Sequence, residues 1–92
     1  MDSEEQLGAL LQQWRIILDL PQELVAERAG ISRATLVRLE QGRGARVSTL
    51  IAVMSVLGID DRLIDAVNPL RTDLGQARAG QLNRRRVGRG PE

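Results

Sequence analysis

Four arginines, Arg33, Arg38, Arg43 and Arg46, fall between residues 31 and 50 against a single acidic residue, Glu40. A guanidinium is planar and always charged, and its fork of donors matches either a phosphate or the O6 and N7 edge of guanine. The segment carries a net charge of +3, whereas residues 1 to 30 sum to −4 and residues 51 to 70 to −2. A second basic region, residues 71 to 92, sums to +4. All thirteen basic residues are Arg, for which genomic bias is the plainer explanation and selection for bidentate donors the other. Each Arg taken singly is an ordinary solvated charge. Four together form a local positive field, which favours a polyanionic partner.

Other chemistry is scarce. The 92 residues contain no Cys and no His, which removes disulfides, Cys/His zinc sites and nucleophilic arrangements built on imidazole or thiolate. No pair of carboxylates has a recognisable acid/base arrangement, and no glycine-rich phosphate loop joins a strand to a helix. Neither an enzyme nor a bound metal or cofactor is expected. With 42% hydrophobic and 27% charged residues, the chain has globular composition and room for one small domain. No apolar run approaches the roughly 18 residues of a membrane span, and the acidic opening MDSEEQ lacks the features of a secretion signal. A soluble protein of the cytoplasm, associated with the nucleoid, is the expectation.

The elements that would carry these arginines follow from periodicity. Leu7, Leu10, Leu11, Trp14 and Leu18 recur at spacings of three and four, predicting a first helix over Glu4 to Leu18 with Ser3 as its cap and Trp14 in the core. Pro21 suits the first turn of a second helix that stops at Gly30. Ser32 caps a third over Arg33 to Gln41, with Gly42 beyond it. Ser48 would cap a fourth helix presenting Leu50, Val53, Met54 and Leu57, and Gly58 would end it. A fifth opens at Asp60 or Asp61, carries Leu63, Ile64 and Val67, and stops at Asn68 and Pro69. No segment alternates with period two, so the class is all-α. After Pro69 apolar residues thin out; some helix around Asp73 to Leu82 is compatible with the pattern, and RRRVGRGPE reads as a disordered basic tail.

Within QELVAERAGISRATLVRLEQG, Gln22 to Gly42, several geometric demands of a helix-turn-helix are met together. The close helix crossing requires a small inner side chain, supplied by Ala26, and the turn requires a residue that tolerates positive φ, supplied by Gly30. Val25, Ala29, Ile31, Leu36 and Leu39 are apolar where the pair must be buried. Glu27, Arg28, Arg33 and Arg38 fall where solvent or ligand would be.

Through RIILDLPQELVAERAGISRATLVRLEQGRG and VSTLIAVMSVLGI, the chain resembles the Cro/repressor-type helix-turn-helix family, also called the xenobiotic response element family, from about Leu7 to Val67. That resemblance implies a five-helix DNA-binding domain, taken as residues 4–70, followed by a basic, flexible C-terminal tail, residues 71–92. It implies that the third helix enters the major groove of an operator while the second crosses the backbone. Carried over, the groove-facing positions are Ser32, Arg33, Ala34, Val37 and Arg38, Gln22 donates to phosphate, and Arg15 pairs with Glu40. The arginines suit guanines, and Ala34 or Val37 can meet a thymine methyl. Arg43 and Arg46 in the following loop are placed for phosphates. A homodimer follows from the need for more base contacts than one helix offers, with Leu63, Ile64, Val67 and Leu70 as its interface.

The downstream stretch DDRLIDAVNPLRTDLGQARAGQLNRRRV is similar to C-terminal extensions of family members that serve as antitoxins to Hip-type kinase toxins. The resemblance implies an autorepressor of a toxin–antitoxin operon that binds the kinase through its tail. A plain repressor with a nonspecific basic tail is the alternative. A protein-interaction or RNA-binding adaptor on the same helical scaffold is a third reading.

Overall fold

The computed structural model describes residues 2–89, with side chains as far as Arg84. Every regular element among them is helical: α1 (Ser3–Ile17), α2 (Gln22–Ala29), α3 (Arg33–Glu40), α4 (Val47–Val56), α5 (Asp60–Val67), a 3-10 turn (Pro69–Arg71), α6 (Asp73–Ala77) and α7 (Gly80–Arg89). The chain forms two compact units, Met1–Asp60 and Asp61–Glu92. No helix of the described residues is long and apolar enough to cross a membrane.

In the first unit α1 packs on α3, and α2 packs on both α3 and α4. The core consists of Leu11, Val25, Ala26, Leu36, Leu39, Val53, Met54, Leu57 and Ile59. Trp14, Ala29 and Ile31 are half-buried at its margin. Gly30 adopts φ 73° at the end of α2, where the Ile31 N–H donates to the Ala26 carbonyl at 3.0 Å. This left-handed cap reverses the chain into α3 within two residues. Ser32 then caps α3 by accepting from the Thr35 N–H at 3.1 Å.

Two expected caps are corrected. Asp2, rather than Ser3, caps α1: its carboxylate accepts from the Glu5 N–H at 2.8 Å, and Glu5 accepts in return from the Asp2 N–H at 3.3 Å. A reciprocal box with two carboxylates at the positive helix end satisfies more than one hydroxyl could. At α4 the extended residue before the helix is Arg46, which makes no side-chain cap bond, and Ser48 lies inside the first turn. The chain leaves the 42–46 loop already able to form the bond from the Leu50 N–H to the Arg46 carbonyl, at 3.0 Å.

The inward stripe of α1 also differs from the apolar pattern. Leu10 and Leu18 are exposed, and the face turned inward carries Gly8, Leu11 and Arg15. A Cβ on Gly8 would lie 2.5 Å from the Leu39 carbonyl oxygen and 2.6 Å from that of Glu40, so α1 rests directly on the end of α3. Beyond α1, Asp19 takes φ 59°, a conformation that Asp tolerates better than most residues, and the Leu20 N–H closes onto the Arg15 carbonyl at 3.0 Å.

Among the described side chains of the second unit, residues 61 to 84, none is buried, and polar bonds organise them. Asn68 accepts from the Leu70 N–H at 3.0 Å. Thr72 accepts from the Gly75 N–H at 2.9 Å and donates to the Pro69 carbonyl at 2.7 Å. The Gln76 amide donates to the Leu70 carbonyl at 3.0 Å, and Arg71 pairs with Asp65 at 2.6 Å. Helix extends to Arg89, farther than composition indicated. Arginine is a good helix former, and cations suit the C-terminal end of a helix dipole. The last residues of the expected tail, 90–92, lie outside the described residues.

The contact at Gly8 yields a prediction of sign. In a helix interior Gly→Ala ordinarily stabilises by about 1 kcal/mol, yet the carbonyls facing Gly8 are backbone and cannot swing away. Gly8→Ala is expected to lower stability by about 1–3 kcal/mol, measured by urea denaturation. Unchanged or increased stability would contradict the packing of α1 on α3.

Candidate nucleic-acid interface

The most constrained polar group of the first unit is the carboxylate of Glu40, at the last residue of α3 and 3% exposed. Its Oε2 accepts from Arg15 Nε at 2.7 Å, and its Oε1 accepts from Arg15 Nη2 at 3.2 Å and from the Gln22 amide at 3.0 Å. Arg15 Nη1 donates to the Leu20 carbonyl at 3.0 Å. A buried charge is tolerated only when paired and hydrogen-bonded, and here α1, the turn after it and α2 all contribute. No buried side-chain polar atom among the described residues lacks a partner. The arrangement ties the end of α3 to both preceding helices.

With α3 held in this way, its outer face presents Ser32, Arg33, Ala34 and Arg38 to solvent, and Val37 is half-buried beside them. The Ser32 hydroxyl is engaged in capping and lies 2.9 Å from the Thr35 hydroxyl. Arg33 Nε donates to Gln22 Oε1 at 3.3 Å. Its Nη1 lies 4.0 Å from Glu23 Oε1, a contact between two exposed groups that contributes little. Arg38 Nη2 donates to the Arg43 carbonyl at 3.2 Å, holding the loop against α3. Arg43 and Arg46 are exposed. An open depression between α3 and the start of α4 is lined by Thr35, Arg38, Arg46 and Thr49 among others.

The structure therefore brings Gln22, Arg33, Arg15 and Glu40 into one connected chain of hydrogen bonds, and Arg38 and Arg46 onto one depression. Ala26, 3% exposed, and Gly30 form the α2–α3 junction. Leu63, Ile64, Val67 and Leu70 belong to the second unit; Leu63 is half-buried and the others are exposed. Sequence reasoning missed the bonds of Gln22 to Glu40 and Arg33, because an amide at the start of a helix carries no signal of what it faces. It also missed the link from Arg38 to the loop backbone, which depends on the path of residues 42–46.

Residues 6–67 match a family model described as a helix-turn-helix domain. The chain belongs to that family. In this helix-turn-helix domain α2 and α3 are the paired helices, Gly30 and the two residues after it form the turn, and α3 occupies the position of the helix that reaches into DNA. The protein is accordingly a DNA-binding regulator in outline. No curated protein matches the chain.

Proposed function

We propose that the chain is a homodimeric, sequence-specific transcriptional repressor of the Cro/repressor type, with α3 as its recognition helix. The observation that carries this reading is the exposed face of α3, which offers Arg33 and Arg38 on a helix whose end is fixed by the buried Glu40 carboxylate. Arg33 and Arg38 read guanines, with Ala34 and Val37 near thymine methyls. Arg43 and Arg46 hold phosphates and set register. The uncapped start of α4 leaves its first N–H groups open to a phosphate oxygen. Ile64, Val67 and Leu70, exposed by 60%, 70% and 42%, supply apolar surface for a two-fold contact with Leu63 at its edge. Residues 4–70 are then the DNA-binding domain and 71–92 a basic appendage, in a protein of the cytoplasm and nucleoid.

Titration with duplex DNA tests this directly. Arg38→Ala is expected to cost about 1–3 kcal/mol on the preferred site and to relax one base pair, while Arg43→Ala weakens all sequences alike and lowers the salt slope by about one. Footprints should cover two half-sites about 34 Å apart. A flat, salt-insensitive response to DNA would favour the RNA-binding or protein-interaction scaffold, and a single protected half-site would remove the dimer.

A second use, as antitoxin to a Hip-type kinase, is favoured by the surface of the second unit. Leu74 and Leu82 are exposed by 63% and 49% beside Ala77, and apolar groups of that size are unnecessary for an arm that only seeks phosphate. Removal of residues 71–92 is expected to spare operator binding and abolish co-purification with a kinase encoded alongside. If truncation instead weakens binding to every duplex and flattens the salt slope, the tail serves DNA; loss of neither activity leaves it a passive segment.

A further inference from the structure

We propose that Gln22 is a specificity-determining positioning residue: anchored on the buried carboxylate of Glu40, it orients Arg33 for one base pair. This inference rests on the DNA reading above. A carboxylate only accepts hydrogen bonds, so an amide against it must present its NH2. The Gln22 amide meets that demand, with Nε2 donating to Glu40 Oε1 at 3.0 Å. Its Oε1 is thereby forced to the opposite side, where it accepts from Arg33 Nε at 3.3 Å. The reverse orientation would set oxygen against oxygen at Glu40 and NH2 against the Arg33 donor.

The consequence for Arg33 is directional. Its side chain is 62% exposed, and such a chain free in solvent samples many rotamers. With Nε bonded to Gln22, the guanidinium plane is set and the terminal Nη1 and Nη2 edge is left to form the fork that matches guanine O6 and N7. Glu23, whose carboxylate lies 4.0 Å from Nη1 and is 81% exposed, is too weakly held to compete with a base. Ordering a reader before it binds reduces the cost of ordering it on DNA, and that gain appears only where Arg33 meets its matched base pair. Information thus passes from Glu40 through Gln22 to Arg33. Arg15 holds Glu40 in place through bonds at 2.7 and 3.2 Å.

The two roles of Gln22 separate in a double-mutant cycle on the full chain. The probe is the consensus duplex that wild-type protein selects from a randomised pool, together with duplexes altered at each base pair in turn. Gln22→Ala is expected to reduce discrimination at the Arg33 base pair by about threefold to tenfold and to leave the preference pattern elsewhere in place. In the Arg33→Ala background, adding Gln22→Ala should change no base preference, because the residue through which it acts is gone. Gln22→Met, which keeps the bulk and removes both polar atoms, should repeat the Gln22→Ala result and serves if the smaller side chain fails to fold. Equal weakening on every duplex, persisting in the Arg33→Ala background, would identify a phosphate contact and overturn the inference. Recovery of no consensus by wild-type protein would instead end the DNA reading, and this inference with it.

Discussion

One buried negative charge organises the helix-turn-helix of this protein. Glu40 sits at the end of α3, where its own helix dipole is unfavourable to an anion, and it is stable there only because Arg15 and Gln22 surround it with donors. Removing Arg15 would leave a buried carboxylate without its counter-charge, and such a loss exceeds what the pair contributes when intact. The value of the arrangement therefore lies in placement. Gly8 permits α1 to rest on the last carbonyls of α3, Arg15 reaches across from that helix, and Gln22 arrives from α2. A helix of eight residues would be marginal alone; fixed at its end from two sides, it becomes a rigid platform for exposed arginines.

The two units solve the problem of small size differently. Met1–Asp60 has a contiguous core in which Val25 and Leu36 are fully enclosed. Residues 61 to 84 bury nothing completely and are shaped by Asn68, Thr72, Gln76 and the Arg71–Asp65 pair. Bonds of that kind fix local turns and contribute modestly to stability. Exposed apolar side chains on such a frame suit a surface that is completed by a second molecule, which is the physical basis of the proposal that self-association and partner binding occur there.

The helix-turn-helix was legible in the sequence because its geometry admits few residue types: Ala26 and Gly30 have almost no substitutes at a close crossing followed by a left-handed turn. The stripe of α1 was misread for an equally physical reason. Counting apolar residues selects Leu10 and Leu18, whereas the face that packs is led by a glycine, which admits backbone, and by an arginine, which meets a buried acid. Asp2 and Arg46 displaced the expected caps by one or two residues, since several polar residues near each helix start can serve and the path of the preceding loop decides among them. The link from Gln22 to Arg33 lies beyond pattern reading altogether, because it depends on a carboxylate eighteen positions away.

The claim that Glu40 and Arg15 act as one buried, mutually dependent unit is tested most directly by measuring their coupling energy. Urea denaturation of Arg15→Met, Glu40→Leu and the double variant supplies it. Each single replacement is predicted to lose about 3 kcal/mol or more, and the double far less than their sum, because a charge-free pair of similar volume leaves no buried charge without a counter-charge. Two small losses that simply add would show that the carboxylate is not what fixes α3, and the account of how this protein positions its arginines would fail with it.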